Sequence, residues 1–100
     1  MIQNGHIGQV LGPFNANEDL LSSEGAIGSF TPEVERPIIY KLGIQATTGT
    51  VVNINDTLIK IGRTGIYELD DSVKITYLSF PNGADENTII DFIYTGRKII

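Results

Sequence analysis

The chain of 100 residues has no cysteine, no tryptophan and a single histidine, and it has only seven basic residues against twelve acidic ones. The lack of cysteine excludes a disulfide framework and a thiolate metal site. The net charge of −5 argues against nucleic-acid binding, because neutralising phosphates requires clustered Lys and Arg. We therefore expect no nucleic-acid partner.

Long apolar runs are also lacking. No segment approaches the roughly 18 apolar residues that a membrane-spanning helix needs. The first ten residues, MIQNGHIGQV, lack the basic and apolar regions of a signal peptide. We therefore expect no membrane association. Apolar residues make up 41% of the chain and charged residues 19%, which favours one compact domain with a hydrophobic core.

No group of residues in the sequence predicts catalysis. His6 has no nucleophile or carboxylate placed to form a catalytic set with it. The acidic pairs Asp70-Asp71 and Asp85-Glu86 lie in predicted turns, where Asp favours its own backbone as a partner. The stretch from Asn53 to Asp56 lacks the spacing, the glycine and the final glutamate of a calcium loop. We therefore predict no enzyme, no metal site and no cofactor.

Composition divides the chain into two parts. Residues 1–36 carry five acids and one base, while residues 37–100 carry seven acids and six bases. The first part is rich in glycine and has little periodicity, with one short helix predicted over Asn15–Ser23. Because structureless loops longer than about 15 residues are uncommon in compact domains, we predict an extended N-terminal arm over residues 1–36. A floppy tail and a wrap over the chain's own domain are the alternatives.

Residues 37–100 are predicted to form an all-β domain, either a small antiparallel β-sandwich or a barrel. Short runs of β-branched and aromatic residues alternate with turn residues, and no helical period is present. The predicted strands are Ile38–Ala46, Val51–Ile54, Thr57–Ile61, Ile66–Leu69, Val73–Phe80 as the longest, Thr88–Thr95, and a last short pairing over Lys98–Ile100. The first of these strands is expected to place Ile38, Tyr40, Leu42 and Ile44 on one face. In the fourth, Ile66 and Leu69 are expected over the core, with Tyr67 and Glu68 toward the rim.

One stretch of this domain has a family resemblance. Residues 41–94 contain GIQA, a threonine and glycine turn, IKIGRTGIYEL, ITYLSF and IIDFIY in that order. This run resembles a module of structural proteins in tailed bacteriophages that infect Gram-positive hosts. The resemblance implies an all-β virion or virion-assembly protein and marks no catalytic residue.

The functional prediction is a virion structural protein that acts through protein–protein contacts. The expected places are capsid decoration, head fibre, or tail and baseplate. The partners would be other virion proteins, in a homo-oligomer or multicopy assembly, and the virion would be assembled in the host cytoplasm. The alternative is a carbohydrate-binding module for host recognition. A small enzyme is a third reading.

The predicted contact residues are large apolar residues and two charged ones. Asp91 would share one strand face with Ile89 and Ile93, either at an interface or at a solvent-facing edge. The full set of interface candidates is Leu11, Phe14, Leu20, Leu21, Phe30, Arg63, Asp91, Ile99 and Ile100.

Overall fold

The protein is built from two antiparallel sheets. The computed structural model describes residues 6–31, 37–69 and 73–95. One sheet has the strand order β1-β7-β2-β5 and the other the order β4-β3-β6, so the predicted all-β fold is confirmed. The elements are β1 (His6–Leu11), α1 (Ala26–Phe30), β2 (Ile38–Gln45), β3 (Val51–Ile54), β4 (Thr57–Lys60), β5 (Ile66–Leu69), β6 (Leu78–Ser79) and β7 (Ile89–Thr95).

Strand β7 shows how alternation builds the core. Ile90, Phe92 and Tyr94 are buried, whereas Asp91 between them is exposed. Successive side chains of a strand point to opposite faces, so one face of β7 enters the core and the other forms part of the surface. The buried side chains of both sheets belong to one hydrophobic cluster, within which Phe14 stacks on Phe80 at a centroid distance of 5.4 Å.

The alternation predicted for β2 is wrong at its start. We expected Ile38, Tyr40, Leu42 and Ile44 on one face, but the buried residues are Ile39, Leu42 and Ile44. The pairing of β2 with β7 shifts register between Ile39 and Lys41. An extra residue at such a bulge reverses which side chains face the core, and the sequence carries no signal for it.

The predicted long strand Val73–Phe80 is also shorter in the structure. Only Leu78–Ser79 forms a strand, and Ile75 makes an isolated bridge with Ile39. A side chain takes the place of the missing partner strand. The Asn55 side chain accepts hydrogen bonds from the backbone N–H groups of Thr76 and Tyr77, at 2.9 and 3.2 Å.

Asn55 belongs to the two-residue turn that joins β3 to β4. Asn55 and Asp56 have φ values of 51° and 69°, the left-handed conformation that tight hairpins require at both positions. The Asn55 amide also donates to the carbonyl oxygen of Lys74 at 2.8 Å, and its backbone N–H donates to that of Tyr77 at 3.1 Å. Asn55 therefore ties the hairpin to the segment that leads into β6.

The extended arm predicted for residues 1–36 is wrong for the part that the structure describes, residues 6–31. Strand β1 pairs with β7 along its whole length. Leu20, Leu21 and Ile27 are at most 1% exposed. The backbone N–H of Leu20 donates to the carbonyl oxygen of Leu78 at 2.9 Å. The predicted boundary after residue 36 borders residues 32–36, which lie outside the described residues, as does the predicted pairing over residues 98–100.

The helix predicted over Asn15–Ser23 is replaced by turns, and the only helix among the described residues is α1. Asn17 has a φ of 60°, which a right-handed helix does not contain. The Asp19 carboxylate accepts the backbone N–H of Leu21 at 3.1 Å, which favours a turn over a helix. Turns allow this segment to fold back and bury its leucines.

Candidate interaction surface

The four-stranded sheet has one face in the core and one face toward solvent, here called the outer face. Register places its side chains in parallel rows across β1, β7, β2 and β5. Three large aliphatic side chains on it are strongly exposed: Ile7 at 83%, Leu11 at 60% and Ile66 at 54%. The outer face comprises Ile7, Gln9, Leu11, Lys41, Gly43, Gln45, Ile66, Glu68, Ile89, Asp91 and Ile93.

A polar row runs across the middle of the outer face. Gln9 lies opposite Asp91, Asp91 opposite Gly43, and Gly43 opposite Glu68. The Gln9 side-chain amide donates to a carboxylate oxygen of Asp91 at 2.6 Å. Because neighbouring strands lie about 4.8 Å apart, the backbones at Asp91 and Glu68 are roughly 10 Å apart with Gly43 between them.

Gly43 leaves a depression between these two carboxylates. A Cβ atom added to Gly43 would have no heavy atom of another residue within 4 Å. The depression has a volume of about 550 Å³, and Ile7, Ile93 and Lys41 also line it. The outer face thus offers an acidic recess bordered by aliphatic side chains, which suits an apolar surface that carries a basic side chain.

The structure brings together only part of the predicted interface set. Asp91 lies on the outer face beside Ile89 and Ile93, as predicted, and Leu11 lies at the end of the same face. Phe30 is 46% exposed and packs edge-on against Phe92, at a centroid distance of 5.9 Å.

The remaining interface candidates lie elsewhere. Phe14, Leu20 and Leu21 are core residues, 5% exposed or less, so they do not form a contact surface. Arg63 is exposed in the turn between β4 and β5. Ile99 and Ile100 lie outside the described residues.

Sequence reasoning missed Ile7, Gly43, Ile66 and Glu68. The prediction placed Ile66 and Leu69 over the core and Tyr67 and Glu68 at the rim. Leu69 does pack against the core, but Tyr67 packs there too and Ile66 is 54% exposed. The available signal was the pairing of exposed positions between strands that are distant in sequence. That pairing can be seen only from the strand register, and the register is known only once the fold is known.

A second, polar depression lies at one end of the sheets, between the β2–β3 loop and the loop before β7. Asn15, Thr48 and Asn82 are among the residues that line it. The Thr47 hydroxyl donates to the Asp85 carboxylate at 2.6 Å, and the backbone N–H of Asn87 donates to it at 3.0 Å. Asp85 thereby holds the two loops together.

These contacts change the acidity of Asp85. The hydrogen bond from Thr47, followed by that from the Asn87 backbone, lowers the pKa of the Asp85 carboxyl below its ordinary value. A lowered pKa in the folded state means that ionised Asp85 stabilises the fold above the unfolded pKa, near 3.9. This stabilisation is lost as the pH falls from there through the folded pKa.

We expect Asp85→Asn to flatten the loss of stability below about pH 4. Thr47→Val should flatten it in the same direction, and the two changes together should have less than the sum of their effects, because both act on one hydrogen bond. Urea unfolding midpoints measured at a series of acidic pH values test this. An acid profile unchanged in both variants would contradict the assignment.

The remaining predictions concern the acidic pair at residues 70 and 71, metal binding, membrane spanning and carbohydrate binding. The pair Asp70-Asp71 lies outside the described residues. Among residues 6–31, 37–69 and 73–95, no group of three or more His, Asp or Glu side chains is placed to hold a metal ion. In the same part of the chain, no helix has the length and apolar character to cross a bilayer. Three tyrosines are half-buried and Tyr94 is buried, and the carbohydrate-binding alternative stays a prediction.

Comparison of the chain with protein-family models, with curated proteins and with solved structures gave no match. The resemblance of residues 41–94 to a bacteriophage module therefore stays a prediction.

Proposed function

We propose that this chain is a structural protein of a tailed-bacteriophage virion, and that its outer face is a surface through which it contacts other virion proteins. The resemblance of residues 41–94 supports the virion class. The observation that carries the contact function is the exposure of Ile7, Leu11 and Ile66 on one face of one sheet.

The exposure of these side chains has an energetic consequence. Fully burying an isoleucine or leucine side chain contributes about 1.5–3 kcal/mol. Ile7, Leu11 and Ile66 are each more than half exposed, so most of that contribution is unrealised in the isolated chain. Large aliphatic side chains exposed on one sheet face, on either side of a polar row, are typical of a protein interaction surface. A partner that covers the outer face gains this contribution.

The polar row gives the contact its specificity. Asp91 and Glu68 face the recess over Gly43, and Lys41 is the one basic residue of the outer face. The face therefore carries a net charge of about −1 at neutral pH. A partner surface that places an Arg or Lys in the recess would pair with both carboxylates, whereas an acidic surface would be rejected.

We expect Gly43→Gln and Ile66→Lys each to lower the number of copies per virion by about tenfold or more, which corresponds to at least about 1.4 kcal/mol of lost contact energy. Both substitutions should leave the fold intact, since Gly43 has open space above it and Ile66 is 54% exposed. Quantitative mass spectrometry of purified particles, with this chain supplied by complementation, measures the effect.

The matched control for this experiment is Leu58→Lys. Leu58 is 65% exposed on β4, in the other sheet. The Leu58→Lys substitution therefore adds the same charge as Ile66→Lys, at a similar exposure but away from the outer face. It should leave incorporation unchanged. Absence of the wild-type chain from particles would overturn the virion proposal, and equal incorporation of all three variants would overturn the role of the outer face.

A further inference from the structure

Strand β1 is an edge strand whose outward hydrogen-bonding groups have no partner in the described part of the chain. Among the described strands it stands first in the order of its sheet, with β7 paired on one side. The backbone N–H of Gly12, just past β1, donates to the carbonyl oxygen of Thr88 at 2.8 Å, and these residues continue the β1–β7 register. Since hydrogen-bonded pairs alternate in an antiparallel ladder, the N–H and C=O groups of Ile7, Gln9 and Leu11 point away from β7.

The three other edges of the two sheets differ from β1. Strand β5 carries Glu68 and strand β4 carries Lys60, and charged side chains on an edge discourage further pairing. Strand β6 is followed by Phe80, whose carbonyl oxygen accepts the backbone N–H of Asn17 at 2.9 Å, so its outer side is occupied. Strand β1 has the sequence HIGQVL, with no Lys, Arg, Asp, Glu or Pro.

The outward positions of β1 are symmetric about Gln9. In an antiparallel pairing of two β1 strands centred on Gln9, Ile7 of one copy lies opposite Leu11 of the other, and each Gln9 lies opposite its counterpart. Gly8 then lies opposite Val10 on the core side. These three positions carry the outward backbone groups, and two of them, Ile7 and Leu11, carry exposed aliphatic side chains, so one register satisfies both the hydrogen bonds and the apolar contacts.

We propose that β1 pairs antiparallel with β1 of a second copy of this chain, with the twofold axis at Gln9, to form one continuous sheet of eight strands. About six backbone hydrogen bonds form in such a ladder. Ile7 and Leu11, 83% and 60% exposed in the single chain, cover each other across the seam. The Gln9 amide already binds the Asp91 carboxylate, so the Gln9 side chain lies toward β7 rather than toward the second copy.

The partner in this pairing is a second copy of the proposed structural protein, so the inference rests in part on the proposed function. It also doubles the outer face, because the two copies present their rows of side chains on the same side of the joined sheet. Its test uses the isolated chain in solution, whereas the virion role is tested in particles. Failure of one is therefore distinguishable from failure of the other.

Crosslinking tests the register directly, because the chain has no cysteine of its own. Cα atoms of a hydrogen-bonded antiparallel pair lie about 5.5 Å apart, within the range of about 4.4–6.8 Å that disulfides span. We expect Gln9→Cys to form a covalent dimer on mild oxidation or with a short bis-maleimide. Leu58→Cys, exposed on β4, is the control for random collision.

The proposed register predicts a second crosslinking result. Ile7→Cys alone should crosslink poorly, because the two copies of residue 7 lie about 14 Å apart, four residues along the ladder. A mixture of Ile7→Cys chains and Leu11→Cys chains should crosslink well. If Gln9→Cys crosslinks no faster than Leu58→Cys, or if the mixture crosslinks no faster than Ile7→Cys alone, the pairing is overturned.

Charge exchange tests the pairing without covalent chemistry. We expect the Ile7→Lys/Leu11→Lys variant and the Ile7→Glu/Leu11→Glu variant each to be monomeric by analytical ultracentrifugation, while the wild-type chain is dimeric. An equimolar mixture of the two variants should restore a dimer, since each lysine then faces a glutamate. Circular dichroism verifies that both variants fold. A wild-type chain that stays monomeric at its highest soluble concentration overturns the proposal.

Discussion

Replacing Leu20 by alanine is expected to lower the free energy of unfolding by about 2–5 kcal/mol. Leu20 is fully buried in the common core, and its backbone N–H binds the carbonyl oxygen of Leu78. The loss has two parts, the removed apolar surface and the cavity that remains. Since small domains are stable by about 5–15 kcal/mol, this one change would remove a large share of the total.

Urea unfolding of the Leu20→Ala variant measures the effect, and Leu58→Ala is its control. Leu58 is 65% exposed, so its truncation should change stability by no more than about 0.5 kcal/mol. The comparison also tests whether residues 6–31 belong to the folded unit. If Leu20→Ala were as mild as Leu58→Ala, this segment would not contribute to the core.

The second large effect is expected at Asn55. Its side chain makes hydrogen bonds to the backbone of Lys74, Thr76 and Tyr77, each worth about 1 kcal/mol net. Holding an alanine at this φ of 51° would cost about 1 kcal/mol or more in addition. We therefore expect Asn55→Ala to lower the free energy of unfolding by about 3–4 kcal/mol.

A substitution series at Asn55 separates the two causes. Asn55→Gly keeps the backbone conformation and loses only the hydrogen bonds, so it should be milder than Asn55→Ala. Asn55→Asp keeps the oxygen that accepts from Thr76 and Tyr77 but loses the amide donated to Lys74, so it should be milder still. Denaturant midpoints should follow the order Asn, Asp, Gly, Ala. If Gly and Ala were equal, conformation would have no part in the effect.

The strands predicted correctly are those in which local pattern and tertiary contact agree. β7, β3 and β5 lie within a residue or so of their predicted bounds, because runs of β-branched residues between turn residues depend little on the rest of the chain. The segment from Val73 to Phe80 has the same pattern. It fails to form one strand because Asn55, some twenty residues earlier, takes its backbone groups.

The first part of the chain illustrates a different limit. Glycine and turn residues correctly indicated the lack of long regular elements, but they do not report whether a segment folds back onto the domain. That outcome depends on Leu20 and Leu21 reaching the core and on β1 reaching β7. The outer face has the same origin, because Ile7, Ile66 and Asp91 come to lie on one face only through pairing between strands far apart in sequence.

The pairing of β1 with β7 also determines the order in which the molecule is completed during synthesis. His6 and Tyr94 are directly opposite each other, although 88 positions separate them, so β1 leaves the ribosome long before its neighbour exists. Closing so long a loop is slow, and the waiting strand displays Ile7 and Leu11 meanwhile. A nascent chain therefore carries an unpaired strand edge until β7 has been translated, and crowding on a polysome would expose that edge to other nascent copies.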